Sequence, residues 1–177
     1  FYYHIMWNFP QVSKNRAFQA KTENIPWREN ESDFEAWKNG KTGIPIVDAC
    51  MRQLKETGWM HNRGRMITAM FLTKNLLIDW RKGEAWFMQN LIDGDFAANN
   101  GGWQWSASTG TDAVPYFRIF NPITQAERFD PKGDFIRQWC PELSGLDHKQ
   151  IHKAQQNAIV DLKSSRLRAI EAFKSLS

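Results

Sequence analysis

The chain has 177 residues, with 23 Lys and Arg against 19 Asp and Glu (formal net charge +4), and 42% of its residues are hydrophobic. That length suits one domain with a substantial core, and this composition excludes a disordered or fibrous chain. Two cysteines exclude a disulfide framework and a four-cysteine zinc site. With no long apolar run and no signal-peptide layout at Phe1-Tyr2-Tyr3-His4, a cytoplasmic, reduced setting is expected.

Phe1 to Phe9 is aromatic from its first residue and has no cap before it. It reads as the middle of a helix, so a fragment of a longer protein is expected. Pro10 to Glu31 reads as irregular, and Asp33 to Lys38 as a short helix ended by Gly40. Pro45 opens a helix that Gly58 closes after Thr57. The longest helix is expected over 61–80, from His61 to Trp80, with Ile67, Met70, Phe71, Leu76 and Leu77 facing a core. Another follows from Gly83 to Leu91. Asp93 to Val114, rich in Gly, Asn, Ser, Thr and Asp, reads as a long functional loop, and Pro115 to Pro131 as its irregular continuation. Asp130-Pro131 should cap and open a helix ending near Trp139. Asp147 to Gln156 and Asp161 to Leu176 read as helices. No segment alternates with period two, so the domain is expected to be all-α.

Nine scattered tryptophans can be core packing, although Leu, Ile, Val and Phe fill space without a polar atom to satisfy. Flat ligands, nucleobases and electron transfer all use such rings. Asn62, Arg65, Met66 and Ala69 fall at i, i+3, i+4 and i+7, so they share one helix face whose mixture suits the wall of a polar-aromatic pocket. Gly64, placed mid-helix, suggests close approach by something bulky. Asp93-Gly94-Asp95 could orient a base or cap a helix, but it lacks the later ligands of a calcium loop. Trp103 and Trp105, read in a non-helical stretch, should point to opposite sides. Arg63, Arg118 and Arg128, with Lys14 and Arg16, could track phosphates, although surface charge explains most such residues. His148 and His152 have zinc-compatible spacing but no third ligand, so no metal is expected.

Several motifs occur in order: Gly40-Lys41-Thr42-Gly43-Ile44-Pro45-Ile46-Val47-Asp48-Ala49, Thr57-Gly58-Trp59-Met60-His61-Asn62-Arg63, Asp93-Gly94-Asp95, Asn99-Asn100-Gly101-Gly102-Trp103-Gln104-Trp105, and Pro115-Tyr116-Phe117-Arg118-Ile119-Phe120-Asn121-Pro122. Together they resemble the photolyase/cryptochrome family, and within it the C-terminal helical FAD-binding domain of bacterial class I cyclobutane pyrimidine dimer (CPD) photolyases.

The resemblance implies light-driven repair of pyrimidine dimers in DNA by electron transfer from reduced FAD to a flipped-out lesion. A blue-light photoreceptor of the cryptochrome type is the alternative. By the same likeness Trp27, Trp80 and Trp103 form a tryptophan chain that restores reduced flavin, with Trp103 innermost and Trp27 at the surface. Trp59, Asn62, Arg65, Asp93, Gly94, Asp95 and Asn99 match cofactor positions. Asn99 would face flavin N5, and Arg65 would pair with Asp93. Asn62, Arg63, Met66, Trp105, Arg118, Gln125 and Arg128 match DNA or lesion positions, Trp105 stacking on the dimer. A single slot lined by Asn99, Asp93 and Trp105 is therefore expected. Family segments that bind the FAD phosphates, and the domain that carries an antenna chromophore, have no counterpart in these residues. The expected partner is dimer-containing DNA, with no membrane, and the expected state is a monomer.

Overall fold

The computed structural model describes residues 1–176, and among them every regular element is helical. The centre is α3 (Pro45–Thr57), which follows α1 (Tyr2–Asn8) and α2 (Glu31–Lys38). Pro45 stands in its first turn, Gly58 ends it with φ 68°, and every residue from Pro45 to Met51 is buried. Around it pack α2, α4 (Asn62–Met70), α7 (Pro122–Phe129) and α8 (Asp134–Trp139). On the far side α4, α5 (Trp80–Asn90) and α6 (Phe96–Ala107) form a second layer, with α1 against α6. The last helix, α9 (Leu162–Lys174), closes over residues 71–75.

The Gly40–Ala49 motif is explained by local architecture. Buried Asp48 accepts from the Thr42 N–H (2.7 Å), the Thr42 hydroxyl (2.6 Å) and the Gly43 N–H (2.9 Å), while burial pushes its carboxyl pKa up. The carbonyls of Thr42 and Gly43 then accept from Ile159 and Gln155, pinning the segment that leads to α9. Gly43 has φ 76°, and a Cβ there would stand 2.6 Å from the Ala158 Cα, so only glycine fits the turn.

Five expectations are corrected. The helix expected over 61–80 is two helices. After Met70 the turn widens, with the Leu76 N–H reaching the Phe71 carbonyl (2.9 Å). Leu77 takes φ 52°, and Asp79 caps a new helix by accepting from the Arg81 N–H. Trp80 therefore begins a helix and does not end one, and α5 starts earlier than Gly83. Residues 93–114 are mostly helical, because Asp95 caps α6 through the Ala98 N–H (2.8 Å) and burial of Ala97, Asn100, Trp103, Gln104 and Ala107 outweighs the weak propensity of Asn and Gly. The irregular stretch expected after Pro115 contains α7, capped by Asn121 with Pro122 at its first position. Asp130 bonds the N–H groups of Phe135 and Ile136, yet α8 begins only at Asp134, after Gly133. Residues 147–156 form turns, in which Asp147 accepts from Lys149 and Gln150. There buried His152 bonds the Asp130 carbonyl (2.7 Å) instead of pairing with His148.

Lys74, in the widened turn, has no exposed surface. Its Nζ donates to Ser108 Oγ (2.7 Å) and the Tyr116 carbonyl (3.4 Å) and lies 3.8 Å from the centre of the Phe173 ring. One side chain thus ties together the end of α6, the 108–116 segment and α9. Desolvation pulls its pKa down to about 7. Below that pH the folded state carries the full cost of a buried ammonium. As pH rises toward the unfolded value the unfolded chain holds the extra proton, and stability should increase. The stability of wild type relative to Lys74→Met is expected to grow with pH above 7, by up to about 1.4 kcal/mol per unit. Denaturant midpoints between pH 7 and 9.5 check this, and a constant difference would contradict it.

Candidate flavin and lesion site

Two faces and one turn meet at a hollow of about 160 Å³. From α4 come Asn62, Arg65, Met66 and Ala69, from α6 Ala98, Asn99, Gly102, Trp103 and Ser106, and from the intervening turn Asp93, Gly94 and Asp95, with Phe87 and Leu91 beneath. The 3.6-residue repeat on α4 sets the first group on one stripe.

Electrostatics fix the rim. Arg65 donates through Nη2 to both oxygens of Asp93 (2.8 and 3.0 Å) and through Nε to the Met60 carbonyl (2.7 Å), so neither partner of the pair is free to swing. The Tyr3 hydroxyl donates to Asp95, and this bond, with the N–H of Ala98, holds the Asp95 carboxyl below the usual carboxylate range. Asn99 spends its amide nitrogen on the Glu84 carbonyl (3.0 Å). A carbonyl can only accept, so the free end of Asn99 is its oxygen, an acceptor with no ionisable proton.

Three features fit a flat heteroaromatic group. Trp103 is 2% exposed with its Nε1 unpartnered, Gly102 has nothing within 4 Å of where a Cβ would stand, and Asn99 offers an unused acceptor. The hollow is small beside the roughly 300–1,000 Å³ of enclosed ligand sites.

Other expected site residues lie elsewhere. Trp105 does not share the hollow of Asn99 and Asp93, which corrects the single slot expected from sequence. On a helix, residues 103 and 105 are about 200° apart, and Trp105 lines a second hollow with Phe1, Tyr2, Gly101, Gly110, Thr111, Asp112 and Ala113. Gly102 lines the first hollow and Gly101 the second. Trp59 is 42% exposed, packs edge-on to His61 and does not line the first hollow. Trp80 is buried with the Arg81 guanidinium over its ring, and Trp27 is half-buried against Phe173. Among the described residues no ring contact joins Trp27, Trp80 and Trp103, and the rings touching Trp103 are Phe87 (4.9 Å) and Trp37 (5.9 Å). Arg118 is exposed, Gln125 is half-buried with Oε1 unpartnered, and Arg63 and Arg128 both lie against Phe129. No group of three or more metal-ligating side chains occurs among the described residues.

The sequence reading missed Glu84, Asn100 and Gln104. Glu84 is buried behind Asn99 with its carboxyl pKa raised by desolvation, and the Asn100 amide reaches it at 3.5 Å. Gln104 bonds Asn100 Oδ1 (3.0 Å) and accepts from the Phe18 N–H (2.9 Å), tying residues 16–18 to α6. Their i, i+4 spacing on a helix capped by Asp95 was the available signal.

Comparison with known proteins shows the family. Residues 1–175 match the family described as the FAD binding domain of DNA photolyase. The chain is 56% identical over 187 residues to the deoxyribodipyrimidine photo-lyase of Escherichia coli K12, covering 99% of this chain and 40% of that protein. It is 60% identical over 153 residues to the enzyme of that name from Vibrio cholerae, covering 86% and 33%. The crystal structure of a bacterial class III photolyase from Agrobacterium tumefaciens superposes with a TM-score of 0.93 at 46% identity, covering 99% and 40% of the two chains. A cryptochrome from Synechocystis gives 0.80 at 39% identity, covering 85% and 35%. The chain thus spans about two fifths of the length of the relatives it matches. Over nearly its whole length it belongs to the family of FAD-binding domains of DNA photolyases.

Proposed function

We propose that this chain supplies one wall of the FAD site, and the adjoining lesion surface, of a DNA photolyase that splits CPDs with light. The observation that carries this reading is the shared hollow of Asn99, Asp93, Arg65, Asn62 and Met66 beside a buried, unpartnered Trp103. The C-terminal, class I placement rests on the ordered motifs. Cytoplasmic DNA bearing dimers is the proposed substrate, met by a monomer.

Asn62, Arg65, Asp93 and Asn99 would hold reduced FAD, which when bound would supply a light-driven electron for splitting the dimer and regain it afterwards, so no reductant would be consumed. The residues of this chain orient and protect. Asn99 Oδ1 accepts a hydrogen bond at the flavin edge without offering a proton. The Arg65–Asp93 pair holds a fixed carboxylate at the rim. Asn62 and Met66, whose Nδ2 and Sδ lie 3.7 Å apart, reach from α4 toward the lesion. Trp103 passes the electron on to the flavin and receives it through Trp80 from Trp27, which is the one half-buried member of the three. Trp105, half-buried in the second hollow, stacks on the flipped pyrimidines.

At natural length, the protein is expected to restore a dimer-containing oligonucleotide under blue light and not in the dark. Flavin photochemistry without repair would support the photoreceptor reading, to which the likeness to the Synechocystis cryptochrome lends some weight. Trp105→Ala should weaken binding of dimer-containing DNA by about 1–3 kcal/mol, measured by fluorescence anisotropy. Equal binding would assign that ring to packing.

A further inference from the structure

Most arginines of this chain whose role is architectural are matched by carboxylates: Arg28 by Asp33, Arg52 by Glu142, Arg65 by Asp93, and Arg81 by Asp79 and Glu23. Arg63 and Arg128 are treated differently. They come from α4 and α7, far apart in sequence, and converge on one ring, that of Phe129 at the end of α7. The guanidinium carbon of Arg63 lies 4.5 Å from the ring centre and that of Arg128 5.2 Å. Neither takes part in an ion pair among the described residues. The adjacent carboxylate, Asp130, is committed to the Phe135 and Ile136 N–H groups. Phe129 is 47% exposed, so its ring is not held there by burial alone.

An aromatic face attracts a guanidinium without neutralising it, and it leaves the N–H groups at the edge of the guanidinium free for two oxygens of a phosphate. Two uncompensated cations gathered on one ring repel each other, an arrangement that a polyanion relieves. We infer that Phe129 is a positioning residue that holds Arg63 and Arg128 as one two-cation clamp for the phosphate backbone of the DNA. This rests on the DNA-repair reading above and adds to it the residue that couples the two arginines. Arg63 and Phe129 line a hollow with Cys50, Gly64 and Phe135, on a different face of α4 from the Asn62 stripe.

The test measures binding of undamaged and dimer-containing duplexes by the protein at natural length across about 50–200 mM salt. The variants are Phe129→Leu, Phe129→Tyr, Arg63→Gln and the Phe129→Leu/Arg63→Gln double. Each lost phosphate contact should make the slope of log K against log salt shallower by about 0.9. Phe129→Leu is expected to show a slope shallower by up to about twice that amount on both duplexes, with binding several-fold weaker. Phe129→Tyr, which keeps the aromatic face, should bind as wild type. The double variant should be little worse than Phe129→Leu alone, and so fall short of the sum of the two single variants. A wild-type salt slope in Phe129→Leu, or full additivity in the double variant, would overturn the clamp while leaving the repair reading intact. Wild-type protein that does not bind dimer-containing DNA would overturn both.

Discussion

Trp103→Phe, in the natural-length protein with FAD bound, is expected to lose light-driven reduction of oxidised flavin while enzyme reduced chemically beforehand still repairs dimers. Trp103 lines the hollow, is 2% exposed and has no partner for its Nε1, so phenylalanine strands no hydrogen-bond partner and keeps a ring between Phe87 and Trp37. The fold should therefore survive well short of the roughly 3–5 kcal/mol that truncation to alanine costs. What is lost is the readily oxidised indole lining the hollow proposed for the flavin. Anaerobic illumination with an external thiol donor, followed by absorbance, reads the first effect, and a repair assay with dithionite-reduced enzyme reads the second. Undiminished photoreduction would remove Trp103 from the electron path.

Gly83→Ala is expected to destabilise the protein by about 1–3 kcal/mol, although alanine is the better helix former by roughly 1 kcal/mol. Packing decides the sign. A Cβ at residue 83 would stand 2.1 Å from Trp103 Cη2, 2.4 Å from its Cζ3 and 2.7 Å from Leu72 Cδ2. The indole is wedged between two further rings, so relief means pushing Trp103 toward the hollow, and FAD affinity should fall with stability. Thermal denaturation and flavin fluorescence titration measure the two effects, and a wild-type midpoint would contradict this account of the contact.

The same residues indicate what the sequence could and could not disclose. The stripe of Asn62, Arg65, Met66 and Ala69 was legible because period 3.6 alone sets those side chains on one face. The helix boundary at Asp79 was also written in the chain, as a capping residue before Trp80, but the apolar pattern running through Leu76 and Leu77 concealed it. For α6 the composition misled, since Asn and Gly favour loops in isolation and become helical here through a cap at Asp95 and a buried polar row. The shared slot for Trp105 came from the family likeness, whereas the local reading that set Trp103 and Trp105 on opposite sides agrees with their separate hollows. The convergence of Arg63 and Arg128 on Phe129, and the three contacts of Lys74, arise from tertiary packing between segments that carry no local mark of each other.

A crystal structure of the natural-length protein with FAD bound tests the central assignment most directly. The isoalloxazine ring should lie in the hollow bounded by Asn62, Asp93, Asn99 and Trp103, with the Asn99 oxygen at its edge. A ring seated elsewhere, for instance in the separate hollow between Cys50, Gly64 and Phe135, would contradict it.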